Sequence, residues 1–520
     1  MTAEDASRLW RGASGAVPAR PANGTAGRAG GRVPIGSAKR GPLTHKKLRI
    51  LQVNTHDIYG GAAKIAMGLF RGYREQGQAS WLAVKEKGSD DPQVLLISNH
   101  KGLLRGTERT KSLLGIPSGD SPQRSLGLPR LLGLWSWFQG THAWLARRFG
   151  YEYWNYPESS KLLSLIPGGV DILHCHNLHG EYFDLGALAR FSQRLPTFLT
   201  LHDLWLLRGQ CQSMLHCENC SAKSKGFLRG SFLGSLIFRD AAAYNCRKRQ
   251  ALYQDSQLYV ATPSEGLMRQ VEKSILAPAV KEARVIPNGV DLNVFRPHKK
   301  SQARAALGIS ENVKALVFVA VDLRTNVAKD YETVKSAVRL AAERMSGQEL
   351  ILFVLGEKAA EERVGRAVIR FVPFLQDSHQ VAQYYQMADV YVHAAELEVW
   401  GLAVTEALAC GIPVVATATG GIPEQIQDGV TGFLVPPKDA TTMAEKITKL
   451  LQDEKLYERM SSEAVQHARR NFNLQDMVRR YLEWYDEILY ARRRASEDFR
   501  EDRNRILLDA TLNAGRGIPF

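Results

Sequence analysis

Two blocks of alternating strand and helix patterns, separated by one Pro/Gly/Asn-rich stretch, constrain this chain more than any other feature. The first block opens with the apolar run "LRILQVN" (48–54), a turn at Gly60–Gly61, the helical pattern "AAKIAMGLFRGYREQG" and a second run, "SWLAVK". Further strand-like runs follow in "VDILHCHN", "PTFLTLHD" and "QLYVATPS". Strand, glycine turn, helix and strand is the opening of a parallel α/β domain. "ARVIPNGVDLNVFRP" (283–297) then reads as a domain junction. Beyond it the alternation restarts with "KALVFVAVD", "YETVKSAVRLAAERM", "ELILFVLG", "AVIRFVPF", "SHQVAQYYQMA", "DVYVHAA", "WGLAVTEALACG" and "IPVVATA". The fold class is therefore α/β, with two Rossmann-like domains: an N-terminal one over 48–290 and a C-terminal one over 291–474. Residues 439–471 read as one helical stretch, and 475–500 as a helix whose apolar spacing predicts docking on the N-terminal domain, followed by a loose polar tail, 501–520.

Residues 1–47 carry many Arg, Lys, Gly, Ala, Pro and Ser against only Glu4 and Asp5, and they read as a disordered basic extension. No apolar core follows those charges as a secretory signal requires, and no run of about 18 uncharged apolar residues predicts a membrane-spanning helix. The net charge of +15 points to an anionic partner. The six cysteines do not suggest a disulfide scaffold, so the expected setting is reducing and cytoplasmic. "LPRLLGLWSWFQGTHAWLARRFGYEYW" (128–154) is dense in Trp, Leu and Arg. It reads as a helix packed on the core, or as a surface element touching lipid, with Arg147 and Arg148 near headgroups.

The stretch "ELEVWGLAVTEALACGIPVVATATGGIPE" (396–424) carries the chemistry. "DVYVHAA" should end at the carboxyl edge of a parallel sheet, where ligands of open α/β sheets bind. A helix starting near Gly401–Leu402 offers free backbone N–H groups and about half a positive charge, which suit a diphosphate. Glu398 lies in the loop before that helix and Glu406 inside it, so two carboxylates can reach opposite ends of one ligand. A nucleotide-sugar has that shape: sugar hydroxyls, diphosphate, ribose hydroxyls. Taken alone, each glutamate also fits a solvated surface position.

These residues resemble the donor-site signature of glycosyltransferase family 4, whose GT-B fold sets two Rossmann-like domains across a cleft. "VIPNGVDLNVFRP" resembles the family's interdomain junction, and "DILHCHN" and "TLHDLW" its N-terminal segments, closest to enzymes of bacterial exopolysaccharide assembly. The resemblance implies a retaining enzyme, with Glu398 on the donor sugar and Glu406 on the ribose. It implies that the backbone at Gly401 and Leu402 holds the phosphates, faced by Gly60 and Gly61. Lys329 fits the family's phosphate-clamping lysine. The Gly-Arg pair usual before it is missing from "FVAVDLRTNVAKD", and Arg324 is the candidate substitute, with a solvated loop position as the other reading. His202 matches the family's histidine at the reacting sugar and is the catalytic candidate together with Glu398. The plainer reading of His202 is a histidine satisfied by Asp203.

His174, His176 and His179 cluster at a strand end without a carboxylate to complete a metal site, and a structural or substrate-lining role is expected. Cys211, Cys217 and Cys220, with His216 or Cys246 as a fourth ligand, could hold zinc, but buried or redox-sensitive thiols are the expectation. Neither a metal nor a cofactor is expected. The expected partners are a nucleotide-sugar and a glycan or lipid-linked acceptor, with peripheral association at an anionic inner membrane face and no specific nucleic acid. The competing functions are another GT-B activity, such as a nucleotide-sugar epimerase or phosphorylase, and a degenerate nucleotide-sugar-binding protein.

Overall fold

The computed structural model describes residues 47–97, 149, 151–152, 154, 156–207, 242–321, 323, 328–345 and 347–514. Arg324, His216, Cys211, Cys217 and Cys220, the N-terminal extension and nearly all of the Trp-rich segment lie outside the described residues.

The first sheet contains β1 (Arg49–His56), β2 (Ala79–Glu86), β3 (Val94–Leu96), β4 (Ile172–Cys175), β5 (Thr197–Thr200), β6 (Leu258–Thr262) and β7 (Val280–Val285). Their order is β3-β2-β1-β4-β5-β6-β7 and every neighbouring pair is parallel. The second sheet contains β8 (Lys314–Val319), β9 (Leu350–Leu355), β10 (Glu362–Val364), β11 (Ala367–Val372), β12 (Val390–His393), β13 (Val414–Thr417) and β14 (Gly432–Val435), in the order β10-β11-β9-β8-β12-β13-β14. Only the β10–β11 hairpin is antiparallel. The chain order reverses beside β1 in one sheet and beside β8 in the other, and such switch points open crevices at the carboxyl ends of the strands.

Four helices matter for the site: α1 (Gly61–Glu75), α2 (Glu265–Glu272), α3 (Leu402–Ala409) and α4 (Leu474–Ala514). The continuous helix expected over 439–471 is instead two, Ala440–Gln452 and Glu454–Asn471, because Asp453 accepts from the Leu456 N–H and caps the second. The tail expected to be loose after about residue 500 continues α4 as far as Ala514. "RILLDATLNA" contains good helix formers, and the first glycine comes only at Gly515.

Separate apolar clusters fill both faces of each sheet. On the outer face of the first sheet the covering layer includes α4, whose Tyr481, Trp484 and Tyr485 are buried with Phe198, Leu69 and Tyr73. Gly72 lets α1 approach α4 closely: a Cβ there would lie 2.4 Å from Val478. The chain crosses between the sheets twice, side by side. Val290 N–H donates to Phe472 O, and Leu474 N–H donates to Val290 O. Gly289 fits this crossing because a Cβ would sit 2.5 Å from the Leu474 Cα.

Candidate functional site

The cleft between the carboxyl edges is lined by Gly61 and Ile65 of α1, by Asn177 and His202 beyond β4 and β5, and by Glu398, Trp400 and Leu402 ahead of or within α3. Asn288 of the junction also contributes. Glu398, Leu402, Gly61 and His202 are thus brought to one cavity from both domains.

Glu398 sits in a loop shaped by the two glycines that follow β13. A Cβ on Gly420 would lie 1.5 Å from Glu398 O, and one on Gly421 would lie 2.3 Å from Val399 O. The Gly420–Gly421 turn therefore exists because the Glu398 backbone packs directly onto it, and Gly421 N–H donates to Glu398 O. The Glu398 carboxylate pairs with Lys329 and lies 3.3 Å from His393 Nε2. Burial works against its charge, but the Lys329 ammonium and His393 hold the carboxyl far below the usual range. His393 is fully buried at the end of β12, and its Nδ1 is 3.2 Å from Tyr391 Oη. Burial lowers its pKa first, and Lys329 adds to the effect, so it is a neutral support for Glu398.

Glu406 is 2 % exposed on the first turns of α3. Tyr385 Oη donates to its Oε2 at 3.0 Å, and Lys64 Nζ of α1 reaches its Oε1 at 2.9 Å from the facing domain. Burial, reinforced by Glu406, pushes the Tyr385 hydroxyl well above its ordinary pKa, so it remains a donor.

The expectation for Gly401 needs correction. Its N–H donates to Gln425 Oε1 at 3.1 Å and its carbonyl accepts from Gln425 Nε2 at 2.9 Å, which anchors the helix start on the buried amide. The available donors are the next amides, Leu402 and Ala403, because the first N–H groups of a helix have no intrahelical acceptor. Gly60 adopts φ +92° ahead of α1, and a Cβ on Gly60 or Gly61 would meet nothing within 4 Å, so this loop leaves its backbone open to the cleft.

His202 does not take the partner expected of a loop histidine. Asp203 binds His179 Nε2 at 3.0 Å, whereas His202 Nε2 lies 3.0 Å from His176 Nδ1. Burial drives the His202 pKa down to about 4 against the pull of Asp203. His174 is structural: its Nε2 is 2.7 Å from Thr200 Oγ1 and its Nδ1 is 2.7 Å from Tyr485 Oη of α4. The Cys246 thiol is buried, and among the described residues no cluster of three metal-ligating side chains forms.

Three residues escaped the sequence reading: Lys64, Tyr385 and His393 each touch one of the two glutamates. His176, expected to be structural or substrate-lining, touches His202. The only local hint was strand periodicity, which puts Tyr391 and His393 on one face of β12. No spacing rule links Lys64 to a residue 342 positions away.

The comparisons with known proteins agree with this architecture. The family model "Glycosyltransferase Family 4" matches residues 59–294, and "Glycosyl transferases group 1" matches residues 299–467. The chain is 35 % identical over 319 residues to the D-inositol 3-phosphate glycosyltransferase of Actinosynnema mirum, covering 58 % of this chain and 69 % of that one. It is 29 % identical over 235 residues to the N-acetyl-alpha-D-glucosaminyl L-malate synthase of Bacillus anthracis, covering 44 % and 60 %. Among solved structures, sucrose-phosphate synthase of Thermosynechococcus elongatus superposes with a TM-score of 0.53 at 18 % identity, covering 86 % of this chain and 100 % of that one. Anabaena HepE, solved with UDP and glucose, gives 0.52 at 18 % identity, covering 84 % and 98 %. The two matched segments fall one on each sheet domain, and the chain belongs to glycosyltransferase family 4, an enzyme of the GT-B fold.

Proposed function

We propose that the chain is a retaining glycosyltransferase that moves a sugar from a nucleoside-diphosphate sugar to a glycan or lipid-linked acceptor, in cell-surface polysaccharide or glycolipid synthesis. The observation that carries this reading is the placement of Glu398 and Glu406 on either side of the α3 N-terminus, with Lys329 on the first and His202 across the cleft. In this reading Glu406, held by Tyr385, accepts from the ribose hydroxyls, and Glu398, held by His393, accepts from the donor sugar. As the bond between the sugar and the diphosphate breaks, the sugar becomes oxocarbenium-like and negative charge grows on the leaving phosphate. In this reading the amides of Leu402 and Ala403, together with Lys329 shared between Glu398 and the phosphate, stabilise that charge. They supply the role a divalent cation plays elsewhere, so we propose that none is required. His202 is a neutral group for a hydroxyl of the reacting sugar. Closure of the cleft would exclude water and limit donor hydrolysis.

The two relatives carry D-inositol 3-phosphate and L-malate in their names, both anionic molecules. A chain of net charge +15 suits an anionic acceptor, and a lipid-linked one would lie at an anionic membrane face. Among the described residues no helix is long and apolar enough to cross a membrane, so association would be peripheral. Co-sedimentation with anionic vesicles at low salt checks this part, and absence of binding removes it.

The donor site is tested by thermal stabilisation with UDP, GDP, ADP and dTDP in wild type, Lys329→Ala and Glu406→Ala. A nucleotide at about 100 times its dissociation constant should stabilise the fold by about 2.7 kcal/mol. One nucleotide should shift the wild type and lose its effect in both variants. A flat response to all four would overturn the donor-site reading.

A further inference from the structure

Behind His202 runs a buried chain of hydrogen bonds. Gln52 on β1 places its Oε1 3.0 Å from His176 Nε2, and His176 Nδ1 is 3.0 Å from His202 Nε2. Gln52 is 0 % and His176 1 % exposed. The His176 and His202 rings meet edge to edge, with centroids 5.3 Å apart and planes 22° from parallel. The far side of His176 is walled by His174, at a centroid distance of 4.3 Å, itself pinned by Thr200 and Tyr485. His176 is therefore packed against His174 and has a partner on each ring nitrogen.

The chain has a direction. Gln52 presents its Oε1, an amide oxygen that only accepts, while its buried Nε2 has no partner among the described residues; in this orientation His176 carries its proton on Nε2 and donates it to Gln52. Its Nδ1 is then a lone pair, which can only accept from His202. His202 in turn carries its proton on Nε2, and its Nδ1 is left unprotonated. The nitrogen that a histidine presents is set by the bond its other nitrogen makes.

We infer that His176 is a positioning residue for His202: with Gln52 it fixes the ring plane and the Nε2–H tautomer, so that His202 offers the cleft an acceptor nitrogen suited to a sugar hydroxyl. The consequence for transfer rests on the donor-site reading above; the tautomer does not. His202 is a hydrogen-bond acceptor toward its ligand, and the discriminating information comes from β1, two positions removed along the chain of bonds.

The test uses the full chain labelled with ¹⁵N-histidine, in wild type, Gln52→Leu, Gln52→Glu, His176→Phe and His176→Gln. In wild type His202 and His176 should both appear as the Nε2–H tautomer near neutral pH. Gln52→Glu, whose carboxylate can only accept, should keep that state. Gln52→Leu and His176→Phe should turn His202 into a tautomer mixture, and the milder Gln52→Leu covers the case in which His176→Phe fails to fold. An Nδ1–H His202 in wild type, or a tautomer unchanged in both apolar variants, overturns the inference. Release of nucleoside diphosphate from a panel of UDP-, GDP-, ADP- and dTDP-sugars supplies the kinetic arm. His176→Phe should slow it on the order of 10²-fold with nucleotide stabilisation unchanged, and His176→Gln should restore part of the rate. Equal losses in rate and nucleotide binding would make the residue merely structural. Failure of any nucleotide to bind wild type would instead remove the donor-site reading and leave the tautomer measurement to decide this one.

Discussion

Lys64 and Glu406 form an ion pair of 2.9 Å across the cleft, one residue from each domain. The Glu406 side chain is 3 % exposed while Lys64 keeps 37 %, so the carboxylate is the member that depends on the pair. Its other oxygen is held by Tyr385. The pair thus sets a cation from the N-terminal domain on the group proposed for the ribose. A double-mutant cycle with Lys64→Met and Glu406→Gln in urea unfolding measures this coupling. We expect about 1 kcal/mol, because the exposed lysine keeps the pair well below the cost of breaking a fully buried one. Additive effects would show that the two side chains do not cooperate in solution.

Lys329 has a different task, since Glu398 depends on it for its charge. Replacing Lys329 with Met leaves a buried carboxylate supported only by His393, whose own burial keeps it neutral. The Glu398 carboxyl should then rise in pKa, opposite to its present depression, and isotope-edited infrared titration reads that rise directly. In the same variant the release of nucleoside diphosphate should fall by about 10²–10³-fold, the loss typical of removing one preorganised electrostatic partner. Lys329→Arg, which keeps the charge, should preserve the low carboxyl pKa. A Glu398 titration identical in wild type and Lys329→Met would contradict the pairing.

The sequence made the interior strands legible and the margins of each sheet obscure. β1, β4, β5 and β6, like β8, β9, β12 and β13, are buried on both faces and read as apolar runs. β3, β7, β10 and β14 were missed, and each is an outermost strand. β7, "VKEARV", is half charged, and β10, "ERV", spans three residues, as edge strands do to discourage pairing with other chains. In the site, Glu398 and Glu406 were legible because a strand end, a glycine and a helix start lie within a dozen residues of them. Gly401 was misjudged because the side chain that claims its N–H, Gln425, comes from a later turn. His393 and His176 were invisible as supports, since a strand histidine shows its partners only once the neighbouring strands are in register.

The buried histidines predict an acid-labile N-terminal domain. Burial pushes the His174 pKa down to about 3 and that of His202 to about 4, with His176 also well below its ordinary value. In the unfolded chain a histidine titrates near 6.5. Between those limits the unfolded state binds more protons than the folded one, so stability is full above about pH 6.5 and falls as pH drops. Glu398, depressed by Lys329, adds to the fall once pH passes below the ordinary carboxylate range. Each fully buried histidine contributes about 1.4 kcal/mol per pH unit in this window. In His174→Gln the slope of unfolding free energy against pH between about 6 and 4.5 should drop by roughly one such increment. An unchanged slope would mean that His174 is protonated in the folded protein.

Gly420 offers a way to move Glu398 without touching its charge. The residue has φ +56°, and a Cβ on it would lie 1.5 Å from Glu398 O, closer than any non-bonded pair can come. Gly429 supplies the control: its φ is +75° and a Cβ there would meet nothing within 4 Å. Gly429→Ala should therefore cost only the left-handed backbone term, about 1–2 kcal/mol. Gly420→Ala carries that term and must also push the 396–399 loop away from the turn, so its cost should exceed the control by at least about 1 kcal/mol. Displacing the loop also separates Glu398 from Lys329 and His393, so the surviving folded protein should lose nucleoside diphosphate release while Gly429→Ala retains it. Equal stability and equal rates in the two variants would show that the Glu398 backbone does not rest on Gly420, and the account of why two adjacent glycines follow β13 would have to be given up.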